Sequence, residues 1–179
     1  MIGGEARGRR LKGPPAGVRP TSDLVRGAIF DTLEAQGAEW SRIVDIYAGS
    51  GALGIEALSR GGEWCDFVER NAASVAVIRA NLTVTGLQER GAVHRVAAAR
   101  AVERLQGPYS LLLADPPYDD EAAQTALAQI AGSDLVDDGA VFVLEQSARR
   151  DAPQKLGALQ LYWNRRYGDT QVSMYRQRA

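Results

Sequence analysis

Asp115-Pro116-Pro117-Tyr118 is the stretch of this chain whose residue types most directly suggest chemistry. It follows Ser110-Leu111-Leu112-Leu113-Ala114, an apolar run of the kind that forms a buried strand in a parallel sheet. Open α/β sheets hold their ligands at the C-terminal ends of such strands. Asp115 can accept one N–H there. The Pro116 carbonyl can accept another, and the two prolines restrict where that carbonyl points. Tyr118 offers a ring face for stacking. A planar base with an exocyclic amine suits this set, so Asp115, Pro116, Pro117 and Tyr118 are the candidate catalytic residues. The bland alternative is a strand end followed by an ordinary Pro-Pro turn and a packed tyrosine.

A second segment, Ile43 to Gly54, runs from a short β-rich stretch into a glycine turn and then a helical pattern. Gly49, Gly51 and Gly54 match the spacing of a dinucleotide-binding turn, a weak signal when it stands alone. Asp45, four residues before Gly49, adds information. A carboxylate at that strand end repels a pyrophosphate on the helix N-terminus. It attracts a ligand that is cationic there, such as the ammonium of S-adenosylmethionine. Glu69 ends the next apolar run, Trp64 to Val68, where an acid takes ribose hydroxyls in dinucleotide folds. Asp45, Ala48, Gly49, Ser50, Gly51, Glu69 and Arg70 are therefore the candidate cofactor residues. A tight strand–helix turn with no ligand is the alternative.

These motifs resemble the RsmD-type bacterial 16S ribosomal RNA guanine-N2 methyltransferases. The likeness covers nearly the whole chain. It includes Gly3-Gly4, Arg7-Gly8-Arg9-Arg10-Leu11, Arg19-Pro20-Thr21-Ser22-Asp23, the Asp45 to Gly54 loop, Leu58-Ser59-Arg60-Gly61, Asp115 to Tyr118 and Tyr167-Gly168-Asp169-Thr170. The central motifs occur in many amino-methyltransferases; the terminal ones are more specific. The chain departs from the family at two places. Asp23-Leu24-Val25-Arg26-Gly27 replaces the usual Asp-Arg-Val-Arg-Glu, and Arg100 stands where an Asp or Asn would meet the adenine amine, which makes Arg100 a further cofactor candidate. The resemblance implies S-adenosylmethionine as cofactor and a guanine of 16S rRNA, in a partly or fully assembled small subunit, as substrate. The residues alone leave two other readings open: methylation of an adenine amine in DNA, and a catalytically silent RNA-binding assembly factor of the same fold. The intact set of Asp45, Glu69 and Asp115 speaks against the silent factor.

The net charge of −1 conceals an uneven distribution. Residues 1–26 carry Arg7, Arg9, Arg10, Lys12, Arg19 and Arg26 against Glu5 and Asp23, a net of +4. Residues 148–179 carry Arg149, Arg150, Lys155, Arg165, Arg166, Arg176 and Arg178 against Asp151 and Asp169, a net of +5, which leaves −10 between them. Two basic ends on an acidic body are expected to meet one RNA surface, through Arg7, Arg9, Arg10, Arg19, Arg26, Arg165 and Arg166. A solvated arm at each end is the alternative. With a single Cys65 and a single His94, the chain has no intramolecular disulfide and is expected to bind no metal. Cys65 reads as a small buried hydrophobe, and His94 as a strand residue with no role. No apolar run reaches the length of a membrane span, and the Arg-rich start lacks an apolar leader core. The expectation is a cytoplasmic monomer.

The elements that must position these residues follow from pattern. The 179 residues suit a single methyltransferase domain, with residues 1–20 as a basic, extended arm rich in Gly and Pro. Thr21 or Ser22 caps a first helix with Val25, Ala28, Ile29 and Leu33 on its apolar face. Strands are expected at about 42–47, 64–69, 91–97, 109–114 and 140–145. Helices are expected at about 52–60, from Asn71 to near Gly86, through Leu105, and over Glu121 to Ile130. Leu159 to Trp163 and Gln171 to Arg176 read as a closing pair of strands. The alternation predicts an α/β, Rossmann-like, doubly wound sheet. With its C-terminal antiparallel hairpin, this sheet resembles the seven-stranded class I methyltransferase fold.

Overall fold

The alternating pattern folds into a single eight-stranded sheet flanked by helices. The structure, a computed structural model, describes residues 1–14, 21–117 and 120–177. The strands are β1 Arg42–Ile46, β2 Trp64–Glu69, β3 Gly91–Arg95, β4 Tyr109–Ala114, β5 Val136–Ser147, β6 Lys155–Leu156, β7 Leu159–Tyr167 and β8 Thr170–Arg176. The helices are α1 Asp23–Ala35, α2 Ala52–Ser59, α3 Ala72–Thr85, α4 Ala101–Arg104 and α5 Glu121–Ala131. The sheet order is β3-β2-β1-β4-β5-β8-β7-β6. Strands β1 to β5 pair in parallel, and β8 enters antiparallel to β5. Strand β1 lies between β2 and β4, so the winding reverses at that point. The crevice for a ligand opens above it.

Both faces of the parallel strands are covered, which explains their continuous apolar runs. Successive residues alternate between two cores. Leu111 and Leu113 join Ile29, Phe30, Leu58 and Ile78 on one face, while Leu112 and Ala114 join Leu127, Ile130 and Phe142 on the other. Side chains fix three helix starts. Ser22 Oγ accepts from Val25 N–H, Asn71 Oδ1 from Ala73 and Ser74, and Asp120 Oδ1 from Ala122 and Ala123. No helix among the described residues is long and apolar enough to cross a membrane.

The structure differs from the sequence expectation at several points. Strand β5 begins at Val136 rather than 140, because Val136 pairs with Tyr109 across a register shift. The two-residue β6 adds an eighth, edge strand beyond the expected seven. Residues 1–12 are held against the body rather than extended. Ile2 and Gly3 donate to Glu56, Ala6 donates to Ser59 Oγ, and Lys12 donates to Asn81 Oδ1. Gly4 lies at φ 68° with Ser59 against it, and a Cβ there would fall 1.7 Å from the Ser59 carbonyl oxygen. Finally, His94 has a partner. Its Nε2 lies 2.7 Å from Asp66 Oδ1, while Tyr109 and Trp64 donate to Asp66 Oδ2. Burial alone would raise the Asp66 carboxyl, but the donors from His94, Tyr109 and Trp64 outweigh it and hold the carboxyl below its usual range. This network joins β2, β3 and β4. Cys65 is buried, as its place in an apolar strand predicts.

Candidate active site

The C-terminal ends of β1, β2, β4 and β5 converge on a cavity of about 440 Å³. Asp45, Ala48, Gly49, Ser50, Glu69 and Arg70 line one part of it, and Asp115, Pro116 and Pro117 another. Gly51 lies just behind the loop at φ 77°, where it begins α2; a Cβ there would meet Ile78 at 3.1 Å. Gly54 has a packing role. A Cβ on it would come within 2.7 Å of Cys65 Sγ and 2.5 Å of the Phe67 ring, so glycine lets α2 lie directly on β2. Among the described lining residues, four carboxylates (Asp45, Glu69, Asp115 and Glu145) face one arginine, Arg70. Such a wall favours a cationic ligand over a pyrophosphate.

Each acid is held differently. Asp45 is 1% exposed, and its Oδ2 accepts the Gly54 N–H at 2.9 Å, which fixes the first turn of α2. Burial pushes its carboxyl well above the ordinary range. The Gly54 bond opposes that shift, and the charges of Asp115 and Glu69 reinforce it. A cation set against Asp45 would favour its ionised form. Glu69 accepts the Gly49 N–H on Oε2 at 3.0 Å and the Asn71 N–H on Oε1 at 2.8 Å. A carboxylate has about four acceptor sites, so Glu69 can brace the glycine loop and still take hydroxyls. Asp115 sits at the end of β4, where the Thr21 hydroxyl donates to its Oδ2 at 3.1 Å.

The acid-walled cavity thus sits at the switch point of the sheet, where open α/β folds bind their ligands. A family model described as Conserved hypothetical protein 95 matches residues 1–176. The chain belongs to that family, the RsmD family. It is 32% identical to "Putative rRNA methyltransferase YlbH" of Bacillus subtilis (strain 168), over 100% of this chain and 99% of that protein. It is 27% identical to "Ribosomal RNA small subunit methyltransferase D" of Escherichia coli (strain K12), over 100% of this chain and 90% of that protein. Among solved structures it is similar to "Putative methyltransferase yhhF from Escherichia coli". That match has a TM-score of 0.85 and 27% identity, over 100% of this chain and 97% of that one. The resemblance carried by the terminal motifs therefore holds at the level of the family, and so does the class I fold.

Not every candidate residue of this RsmD-family chain reaches the cavity. Arg100 does not line it. The side chain is exposed on a short 3-10 turn, and its Nε and Nη2 donate to Glu103 Oε2 at 3.1 Å. Arg26, expected to meet RNA, is instead 6% exposed, with Nη2 2.7 Å from Asp23 and Nε 3.5 Å from Glu56. Arg7, Arg9 and Arg10 are exposed, but they sit at the far edge of the sheet. There Arg9 Nη1 donates to the Val84 carbonyl near the end of α3, and Glu5 N–H to that of Ser59 at the end of α2. Cations are stabilised beside such helix C-termini. Arg165 and Arg166 are exposed at the opposite edge, because the β7–β8 turn pairs Thr170 with Ser147 at the C-terminal end of β5. Arg9 and the Arg165–Arg166 pair therefore lie toward opposite edges. Tyr118 and Arg19 lie outside the described residues.

Of the cavity-lining residues that sequence reasoning did not assign to the site, three matter most here. Tyr47 is the only described non-glycine residue at positive φ, at 61°, where β1 gives way to the glycine loop. Thr21 is a possible cap by sequence, but Ser22 fills that role and Thr21 is left to bond Asp115. Glu145 ends the buried part of β5. The strand-end rule that identified Asp45 and Glu69 would have found it too. No sequence signal marks Tyr47, and Thr21 is marked only as a possible cap and within the Arg19 to Asp23 motif.

Proposed function

We propose that this chain transfers a methyl group from S-adenosylmethionine to the exocyclic amine of a guanine in small-subunit ribosomal RNA. The observation that carries this reading is Asp115, held at the end of β4 on the wall of the acid-lined cavity. The names of the RsmD-family relatives support ribosomal RNA as the substrate.

The cavity fits the methyl donor. Its volume suits a nucleoside bearing an amino-acid tail, and its acids suit a ligand with two cationic groups. Asp45 and the loop Ala48-Gly49-Ser50-Gly51 would hold the amino-acid part, with Glu69 and Arg70 at the ribose. The donor supplies a methyl on a sulfonium. The chain's own task is then to bring a poor nucleophile in line with it. Asp115 and the Pro116 carbonyl accept the two amine hydrogens, which draws them out of the ring plane and frees the nitrogen lone pair. Asp115 also stabilises the positive charge that develops on nitrogen. Tyr118 stacks on the base, which must be unpaired or flipped out to enter. The deciding experiment mixes tritiated methyl donor with small subunits from a strain lacking this gene and identifies the labelled nucleoside. N2-methylguanosine is expected; N6-methyladenosine would replace this reading with the adenine one.

Two further outcomes are expected. Glu69→Ala removes both the ribose acceptor and the brace on Gly49, so methyl-donor affinity should fall by about 1–3 kcal/mol. Calorimetry showing unchanged affinity, or tight NAD binding by the native protein, would refute the cofactor assignment. RNA binding should depend more on the cavity edge than on the far edge, about 17 Å away across a five-residue strand. Changing Arg165 and Arg166 to Ala should flatten the salt dependence of substrate binding by at most about 0.7–0.9 in slope for each phosphate no longer neutralised. Changing Arg7, Arg9 and Arg10 should do less. Salt titrations that rank the two variants the other way would move the RNA to the far edge.

A further inference from the structure

We infer that Glu145 selects guanine by accepting its N1–H, an assignment that rests on the guanine reading above. Strands β4 and β5 pair in parallel with Ala114 opposite Leu144, so Asp115 and Glu145 are the next residues on neighbouring strands. Neighbouring strands run about 4.8 Å apart. Leu113 and Val143, two residues earlier on each strand, share one core, so alternation sends Asp115 and Glu145 toward the same face. Both side chains line the large cavity, and Glu145 is 3% exposed. The cavity wall thus presents three acceptors together: the Glu145 carboxylate, the Asp115 carboxylate and the Pro116 carbonyl.

The edge of guanine offers three donors in a row, N1–H and the two hydrogens of N2. Adenine offers its amine beside N1, which carries a lone pair and no hydrogen. A carboxylate only accepts, so Glu145 would complete the match to guanine and set two lone pairs against each other with adenine. In a site closed to water, such a mismatch is not relieved by solvent. Sites that hydrogen-bond a polar substrate group reject analogues lacking it by large factors. Asp115 positions the reacting amine, and Glu145 determines which base supplies it.

The test separates N1–H from the amine. 2-Aminopurine keeps the N2 amine of guanine but has a bare N1. Small-subunit RNA carrying guanine or 2-aminopurine at the methylated position is assembled into subunits. The ratio of kcat/KM for the two substrates is then measured on one enzyme preparation. That ratio does not depend on the fraction of enzyme that is folded. Wild type should favour guanine by about 100-fold or more. Glu145→Gln, whose amide can donate to N1, should narrow the ratio by about tenfold or more; both substrates are compared at saturating methyl donor, so a change in donor affinity does not enter the ratio. Glu145→Asp keeps the acceptor; it should lose rate but retain the preference. A wild-type ratio near one, or the same ratio in Glu145→Gln, overturns the assignment while leaving guanine methylation standing. Label recovered in N6-methyladenosine overturns both.

Discussion

Asp115→Ala should reduce methyl transfer by about 100- to 1000-fold at saturating cofactor, the loss seen when one preorganised group facing developing charge is removed. The side chain is only partly buried, at the mouth of the cavity. Its replacement should therefore leave the thermal transition nearly unchanged, and the Thr21 hydroxyl that it accepts can turn to water. Asp115→Asn should fall between the two, because its amide oxygen still accepts one hydrogen while the negative charge is gone. Single-turnover assays with tritiated methyl donor separate this loss from slow product release. Near wild-type transfer by the alanine variant would show that Asp115 has another role and that positioning alone drives the reaction.

Glu56→Ala should destabilise the fold by about 3–5 kcal/mol without entering the chemistry. Glu56 is 0% exposed and accepts from three donors, the Ile2 and Gly3 N–H groups and Arg60 Nε at 2.9 Å, while Arg26 Nε stands 3.5 Å away as an ion pair. Removing it takes the buried partner from two guanidiniums, leaves Arg26 only Asp23 and Arg60 only Asp31 and Glu34, and releases the first residues from α2. Arg60 also bridges to Asp31 and Glu34 on α1, so the damage extends to the α1–α2 packing. For a domain of this size the melting temperature should drop by about 6–20 °C. Glu56→Gln, which keeps one oxygen for the N-terminal N–H groups, should cost less. Urea unfolding of the three proteins checks this. A loss below about 1 kcal/mol in the alanine variant would mean that water replaces the carboxylate, as at an exposed ion pair.

Much of the ligand side of this protein was legible because it depends on local rules. Asp45, Glu69 and Asp115 each end an apolar run, and in a parallel sheet every such end reaches the same edge. Three residues separated along the chain could therefore be grouped without knowing the packing. The caps at Thr21 or Ser22 and at Asn71 announce themselves for a similar reason, since a short polar side chain beside a helix start satisfies N–H groups within three residues of itself.

The basic residues were harder to read, because charge along a sequence carries no direction. Arg26, Arg9 and Arg165 look alike in a charge count. Folding buries Arg26 against Glu56, sets Arg9 on a carbonyl near the end of α3 and leaves Arg165 exposed beside the cavity edge. Arg100, expected at the adenine, turned to Glu103 three residues on. His94 gained Asp66, which Tyr109 also bonds, as a partner through strand pairing, which periodicity does not report.

The sequence by itself determined the strand and helix alternation, the glycine loop and the three strand-end acids, because each rests on backbone conformation or on patterns within a few residues. Only the tertiary structure decided that Thr21 meets Asp115, that Glu145 stands beside it, and that Arg9 and Arg165 lie toward opposite edges. Those facts depend on which strands become neighbours and which way each helix runs. Sheet order brings Asp115 and Glu145 together across 30 positions of chain, and the direction of α2 and α3 carries the first ten residues away from the cavity.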